Sequence, residues 1–231
     1  MAKTGAFVFL HASNRTVDRA WPVASGLPDE RFARMPGYDS ESAAAVPFDQ
    51  DAWESRLLLA CPDDAVVVAH SFGGPVAMRA AARRPDLVRA LVLFEPAAYA
   101  LARGTPAVED HIRRVQPVLD RAASLDAASF AVAFGDAMSG RSDASAPTTP
   151  EGLLAAERQR MLPGPWTLDT PDRTGVPTLV VTGGWNDEYE TIAAHVDGTV
   201  HVVLAGHGHR PQDHQDATRV VLDFVRAVSP R

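Results

Sequence analysis

Ser71 stands where an apolar run meets a turn rich in glycine. The run 66–70 reads VVVAH, and Phe-Gly-Gly follows the serine at once. A tight strand-to-helix turn needs small neighbours, because the backbone bends sharply and the flanking residues crowd each other. The pentapeptide 69–73, AHSFG, matches the G-x-S-x-G nucleophile elbow with alanine in place of the first glycine. The pattern predicts a serine nucleophile at the start of a helix, and the alternative is a glycine-rich loop that only packs a helix against a sheet.

A serine nucleophile needs a base to take its proton. The stretch 204–214, LAGHGHRPQDH, follows the last predicted strand and precedes the last predicted helix. We expect His209 to be this base, since it comes directly after a Gly-His-Gly turn and just before Arg-Pro. His207 could shape the loop or line a pocket instead. Because His207, His209 and His214 lack an accompanying carboxylate or cysteine pattern, we expect no metal site.

Short apolar runs that alternate with helical patterns must position these side chains. Such runs, bounded by glycine, proline or charge, are typical of strands buried on both faces of a parallel sheet. The alternation predicts an α/β fold with a doubly wound, mostly parallel sheet. Strands are predicted at 6–11, 31–37, 66–70, 90–94, 177–183 and 200–206, and helices at 49–60, 75–84 and 217–228.

The interval 97–174 lacks strand signals. Within it, residues 108–119 and 130–138 repeat apolar side chains at helical spacing. An insertion of about eighty residues between two strands is typical of a small helical cap, although extra helices packed beside the sheet would look the same. We predict a core formed by 1–96 and 175–231 and a helical cap or lid at 97–174.

Composition and net charge limit the classes of function that this protein can have. The chain has 231 residues, is 46% hydrophobic, carries a formal net charge of −7 and contains one cysteine. The negative net charge does not indicate binding to nucleic acid or to an anionic membrane. A single cysteine excludes a framework of disulfide bonds within the chain. Without an apolar run of about 20 residues or a secretory signal, a cytoplasmic protein is expected. With no dinucleotide or Walker A motif, we expect no cofactor, a small-molecule substrate, and a monomer or homodimer.

Four segments together resemble the α/β-hydrolase superfamily over nearly the whole chain. In that family a His-Gly pair after the first strand supplies an oxyanion-hole amide, and His11-Ala12 stands there in this sequence. The resemblance therefore implies an oxyanion hole formed by the amides of Ser13, with Asn14 as its alternative, and of Phe72. The four segments are FLHASNRTVDRAW (9–21), ARMPGYDSE (33–41), AHSFGG (69–74) and AGHGHRP (205–211).

The resemblance also implies a carboxylate partner for the histidine, and two residues compete for this role. The usual family position follows the strand at 177–183, where one way of counting selects Asp187 and another selects Asn186, which cannot carry the charge. Glu95 ends the strand after the nucleophile helix, a site that some family members use. Family frequency slightly favours Asp187. Asp187 could instead cap the helix that follows, and Glu95 could be a structural strand-end residue.

The reaction that the resemblance implies is acyl transfer to water. Ser71 would attack a carbonyl while His209 takes its proton, as in a serine hydrolase of carboxylesterase type. We expect a small-to-medium, mostly apolar ester, lactone or thioester as substrate. A cofactor-free lyase, a carbon–carbon hydrolase or a non-catalytic ligand-binding member of the fold are the alternatives. The expected pocket side chains, each of which could instead serve core or cap packing, are Trp21, Tyr99, Phe134, Met138, Trp166 and Trp185.

Overall fold

A single parallel sheet forms the centre of the molecule. The computed structural model describes residues 6–13, 20–22, 27, 30–40 and 42–228. Within them, six strands pair in the order β2-β1-β3-β4-β5-β6, and every pairing is parallel. The doubly wound α/β sheet expected from the sequence is confirmed. The strands are β1 (Phe7–Leu10), β2 (Glu30–Ala33), β3 (Ala65–His70), β4 (Val88–Phe94), β5 (Thr178–Thr182) and β6 (Thr199–Val203).

Helices connect the strands, and several begin at a residue whose side chain caps them. Asp49 accepts a hydrogen bond from the amide of Ala52, and Asn186 accepts one from the amide of Tyr189. Such caps satisfy backbone donors that have no partner inside the helix. None of the helices described is both long and apolar enough to cross a membrane. The helices are α1 (Gln50–Ala60), α2 (Gly73–Arg83), α3 (Pro106–Leu119), α4 (Ala127–Ser139), α5 (Pro150–Arg160), α6 (Asp187–Ala194) and α7 (Ala217–Ala227).

The sheet has a hydrophobic cluster on each face. Successive side chains of a strand point to opposite faces, so Leu91 and Leu93 enter one cluster while Val92 and Phe94 enter the other. The first cluster is covered by α1, α2 and α6, and the second by α7. Burial on both faces explains why the central strands are continuous apolar runs in the sequence.

The two outer strands depart from the sequence prediction. Strand β6 is shorter than the predicted run 200–206, and Val200 and Val203 are about half exposed. Strand β2 covers only the beginning of the predicted run 31–37. Both strands lie at the ends of the described sheet, so each has one strand neighbour rather than two. An apolar run alone does not distinguish such an edge strand from a central one.

Residues 97–174 contain helices and loops and no strand. Besides α3, α4 and α5, this segment has three short 3₁₀ helices, at Tyr99–Ala102, Ala122–Ser124 and Pro165–Thr167. Several of its buried side chains, among them Val108 and Trp166, belong to the same cluster as the α2 face of the sheet, while Val118, Ala122 and Phe130 form a separate small cluster. The segment is helical as expected, and its role as a cap stays a prediction.

Candidate active site

Ser71 occupies a sharp, strained turn between β3 and α2. Its φ of +49° lies in the left-handed region, which residues other than glycine rarely adopt. Three backbone hydrogen bonds hold the turn: the Ser71 amide donates to the Phe94 carbonyl at 3.0 Å, and the Ser71 carbonyl accepts from Gly74 and Ala97 at 2.8 and 2.9 Å. The strained conformation therefore persists because its surroundings fix it, as is common at functional sites.

The glycines of the turn allow a close approach to neighbouring loops. A Cβ on Gly73 would lie 2.8 Å from the carbonyl oxygen of His11, and one on Gly74 would lie 2.8 Å from Cβ of Pro96. Real Cβ atoms do not come so close, so a larger residue would push the turn away from the loops that follow β1 and β4. The requirement for small residues inferred from the sequence has this physical basis.

His209 lies between a hydroxyl and a carboxylate. Its Nε2 is 3.0 Å from Ser71 Oγ, and its Nδ1 is 3.3 Å from Oε2 of Glu95. The loop is held in place by His70, whose Nε2 donates to the backbone carbonyl of His209 at 2.8 Å. A proton on Nδ1 directed at the carboxylate leaves the Nε2 lone pair free to accept from the serine hydroxyl.

Glu95 is fully buried and surrounded by N–H donors. Gly183 donates its amide to Oε1 at 2.6 Å, and the indole nitrogen of Trp185 donates to Oε2 at 3.0 Å. With the His209 ring this makes three nitrogen neighbours, which suits an ionised carboxylate that only accepts. Gly183 is required here for a second reason, since a Cβ on it would lie 2.1 Å from the carbonyl oxygen of Gly208 in the histidine loop.

Asp187 lies elsewhere. It is the first residue of α6 and is exposed, whereas the residue that caps the helix is Asn186. Asp187 borders a shallow surface groove together with Thr105 and Asp110. A carboxylate at the first turn of a helix is favourable for the helix dipole without any catalytic role. The structure thus brings Glu95, and not the slightly favoured Asp187, to the histidine.

A cavity opens beside the serine hydroxyl. Its enclosed volume is about 140 Å³, close to the size of engineered cavities that admit a benzene ring. Ser71 and His209 lie on one side of its lining, while residues from the 97–174 segment give it a mostly apolar wall. These include four of the expected pocket residues, Tyr99, Phe134, Met138 and Trp166, together with Val115, Leu119, Pro163 and Pro165.

Two of the expected tryptophans serve other purposes. Trp21 is buried on the opposite face of the sheet, where it packs against Phe9 and Phe94. Trp185 is 46% exposed and, instead of lining the cavity, donates its indole N–H to Glu95. A tryptophan near a site can therefore act through its polar edge as well as through its apolar area.

His11 also lies outside the cavity lining. Its buried ring packs against Tyr38 and Trp53, its Nδ1 donates to the Ala12 carbonyl at 2.6 Å, and its Nε2 accepts from the Met35 amide at 3.4 Å. Burial lowers the pKa of His11 to about 4, so the ring is neutral near pH 7. This histidine shapes the loop after β1 and does not contact the cavity.

The two expected oxyanion donors border the cavity beside Ser71. Ser13 lies three residues after β1, and its carbonyl accepts from the Tyr38 hydroxyl at 2.7 Å. Phe72 is the N-cap residue of α2, where backbone amides lack intrahelical partners. Asn14, the alternative to Ser13, lies outside the described residues. The roles of the Ser13 and Phe72 amides stay predictions.

His207 is exposed, and its ring packs against that of His214 at 5.6 Å. In the part of the chain that the structure describes, no group of three or more histidine, cysteine, aspartate or glutamate residues is arranged to hold a metal ion.

Sequence reasoning missed three polar residues near the serine, namely Tyr189, Glu188 and His111. The Tyr189 hydroxyl is hydrogen-bonded to Ser71 and Tyr99, and burial raises the pKa of both tyrosines well above the usual range. The Tyr99 hydroxyl donates to Oε1 of Glu188 at 3.0 Å, and Oε2 of Glu188 lies 3.0 Å from Nδ1 of His111. A signal for His111 was present, because it stands among apolar residues on the buried stripe of α3.

Comparison with known proteins gives the family. A model of the alpha/beta hydrolase family matches residues 7–222. Lipase LipV of Mycobacterium tuberculosis (strain ATCC 25618 / H37Rv) is 72% identical over 57 residues, which make up 23% of this chain and only 22% of that lipase.

Solved structures show the same fold. An alpha/beta hydrolase from Sphaerobacter thermophilus DSM 20745 is 21% identical, with a TM-score of 0.60 over 95% of this chain and 92% of that one. A thermophilic esterase from Thermogutta terrifontis is 19% identical, with a TM-score of 0.58 over 97% and 90% of the two chains. With the family match spanning nearly the whole length, the chain belongs to the alpha/beta hydrolase family.

Proposed function

We propose that this protein is a serine hydrolase of carboxylesterase type in which Ser71, His209 and Glu95 form the catalytic triad. The observation that carries the proposal is the unbroken series of contacts from Ser71 Oγ to His209 Nε2, at 3.0 Å, and from His209 Nδ1 to Glu95, at 3.3 Å. Nucleophile, base and orienting carboxylate thus stand in the order that acyl transfer requires.

The proposed reaction has two halves. Ser71 Oγ attacks the substrate carbonyl while His209 Nε2 takes the serine proton and then gives it to the leaving alcohol, which leaves an acyl-enzyme. Water, deprotonated by His209, attacks the acyl group and releases the acid, and the proton returns to Ser71. Glu95 holds the tautomer of the ring and stabilises the imidazolium formed in each half.

The oxyanion of each tetrahedral intermediate would be bound by the amides of Phe72 and Ser13. Phe72 starts a helix, so its amide combines with the positive end of the helix dipole. This assignment is supported by the position of both residues in the lining of the cavity, beside Ser71.

The proposed substrate is a small ester, lactone or thioester. The apolar wall supplied by residues 97–174 favours an alkyl or aryl group, and this segment would act as the cap over the site. The limited volume of about 140 Å³ favours short groups. The presence of a lipase and an esterase among the similar proteins also supports acyl-ester chemistry.

Hydrolysis of p-nitrophenyl acetate, butyrate and octanoate tests the proposal. We expect turnover by the wild type that is fastest with the shorter esters, and a loss of about 10⁴-fold or more in kcat/KM for Ser71→Ala. Ser142→Ala, at an exposed serine, is the matched control and retains activity. A wild type that is inert towards all three esters would contradict the proposal and favour the lyase or the binding-protein alternative.

A further inference from the structure

A second histidine–carboxylate pair borders the same cavity. His111 lies on α3, is 2% exposed, and has its Nδ1 3.0 Å from Oε2 of Glu188. Glu188 lies in the first turn of α6, is also buried, and accepts the Tyr99 hydroxyl on its other oxygen at 3.0 Å. The Glu188 carboxylate therefore has a polar neighbour at each of its two oxygens. Neither His111 nor Glu188 belongs to the proposed triad.

The ring of His111 has unused hydrogen-bonding capacity at the cavity. It is part of the cavity lining, its Nδ1 lies 3.0 Å from Glu188 without a hydrogen bond of regular geometry, and no hydrogen bond to Nε2 is found among the described residues. Next to it on α3, the cavity wall is made of Val115 and Leu119. A buried polar atom in apolar surroundings is unfavourable unless it is hydrogen-bonded, so this position is suited to a polar group of a ligand.

We infer that His111 recognises a hydroxyl group carried by the substrate, an inference that rests on the proposed hydrolase function. In the neutral ring Nε2 is an acceptor or a donor, depending on which nitrogen carries the proton, and in the imidazolium it is a donor. A hydroxyl both donates and accepts, so it pairs with Nε2 in either state. A substrate carboxylate would meet the nearby charge of Glu188, and an alkyl group would leave Nε2 unpaired.

The substrate class that follows is a short ester or lactone with a hydroxyl group away from the reacting carbonyl. The carbonyl would be at Ser71, the apolar part against the wall that contains Phe134 and Met138, and the hydroxyl at His111. A site built to hydrogen-bond a hydroxyl discriminates against the analogue that lacks it, because the protein group is then left buried and unpaired.

A purely structural role of the pair makes a different prediction. The contact joins α3 of the 97–174 segment to α6, with Arg114 also 3.8 Å from Glu188. If the pair only held these helices together, its loss would lower stability and would change the hydrolysis of all esters by the same factor. Recognition instead changes the ratio between hydroxylated and unsubstituted substrates.

The test measures that ratio for two substrate pairs. One pair is p-nitrophenyl 3-hydroxybutyrate and butyrate, and the other is 4-hydroxybutyl and butyl butyrate followed by pH-stat. We expect the wild type to favour the hydroxylated member of at least one pair about tenfold in kcat/KM, and His111→Phe to reduce the ratio to about one. His195→Phe, the same replacement at an exposed histidine outside the cavity lining, is the control that keeps the preference.

Two further measurements keep the test decisive if the single variant folds poorly or if the wild type hydrolyses none of these esters. The double variant His111→Phe/Glu188→Gln leaves no unpaired buried carboxylate and is measured beside the single one. Binding of 4-hydroxybutan-2-one and of its near-isostere pentan-2-one is titrated by the tryptophan fluorescence of the protein, to which Trp166 in the cavity wall contributes.

Each outcome separates this inference from the proposed function. Ester hydrolysis by a wild type without hydroxyl preference, or a preference that survives in the double variant, would overturn the inference and leave the hydrolase proposal standing. If no ester is hydrolysed, the proposed function fails. Tighter binding of the hydroxyketone that is lost in the double variant would then still support recognition by His111, and equal binding of the two ketones would overturn it.

Discussion

Two histidine–carboxylate pairs border one cavity, and they differ in what the distal nitrogen of the histidine meets. In the first pair, His209 and Glu95, Nε2 lies 3.0 Å from the hydroxyl of Ser71. In the second, His111 and Glu188, the histidine ring borders the cavity, and no hydrogen bond to Nε2 is found among the described residues. The same chemical unit is therefore suited to proton transfer in one place and to ligand recognition in the other.

The scaffolds of the two pairs differ as well. The first pair lies on loops that follow β4 and β6, at the carboxyl edge of the sheet, where open α/β sheets bind ligands. The second joins two helices, α3 and α6, one of which belongs to the 97–174 segment. A change in the sequence of 97–174 can thus alter the second pair while the first keeps its geometry, so the proposed specificity could vary separately from the proposed chemistry.

The largest expected effect on kcat distinguishes Glu95, the carboxylate of the first pair, from Asp187, the other candidate for the same role. Glu95→Gln keeps the shape of the side chain but removes the charge that, in the proposed triad, would stabilise the imidazolium, and we expect kcat to fall by about 10³- to 10⁴-fold. Asp187→Asn removes an exposed charge from the first turn of α6, and we expect less than a twofold change. Both variants are assayed with p-nitrophenyl butyrate.

The reverse pattern, with Asp187→Asn inactive and Glu95→Gln active, would contradict this expectation. It would show that the contact between His209 and Glu95 in this structure is not the one made during the reaction. Thermal unfolding of both variants provides the control, since Glu95 is fully buried and its replacement must not simply unfold the chain.

A third histidine, His11, is buried and has no carboxylate among its described contacts, which sharpens the comparison. Burial lowers its pKa from 6.5 to about 4. The unfolded chain binds a proton at this residue between those pH values and the folded chain does not. The free energy of unfolding is therefore expected to decrease as the pH falls from about 6.5 to 4, by about 3 kcal/mol from this residue.

Urea unfolding of the wild type and of His11→Phe between pH 4 and 7 checks this expectation. The difference between the two free energies of unfolding should change by about 3 kcal/mol across that range, because only the wild type carries the buried imidazole. Parallel curves for the two proteins would contradict the assignment of a neutral buried ring.

Tyr189 lies between the two pairs, and its replacement is expected to change kcat/KM less than the replacement of Glu95. Its hydroxyl is hydrogen-bonded both to Ser71 and to Tyr99, which donates to Glu188. Tyr189→Phe removes the hydrogen bonds to Ser71 and to Tyr99, and we expect kcat/KM to fall about tenfold. Steady-state hydrolysis of p-nitrophenyl butyrate measures it, and a variant as fast as the wild type would show that the phenol only fills space.

The sequence predicted those features that depend on local patterns. The parallel sheet followed from apolar runs, and the turn at Ser71 from small residues at fixed offsets. The partner carboxylate could not be predicted, because Glu95 and Asp187 both follow strands and only the packing decides which one reaches His209. The edge position of β6 was missed for a similar reason, since its composition resembles that of a central strand.

The second pair could not be found from the sequence because it depends on contacts between distant elements. His111 and Glu188 are 77 positions apart and meet only when α3 packs against α6. Each is a polar residue at an inward-facing position of an amphipathic helix. This pattern signals a buried polar group without identifying its partner.

Covalent labelling of Ser71 is the most direct test of the central claim that the first pair activates this serine. The wild type is treated with a fluorophosphonate, and mass spectrometry locates the adduct and measures its rate of formation. We predict one adduct on Ser71 that forms at least 100-fold more slowly in Glu95→Gln and at the wild-type rate in Asp187→Asn. An adduct on another residue, or an unlabelled Ser71 in a protein that still hydrolyses esters, would contradict the account.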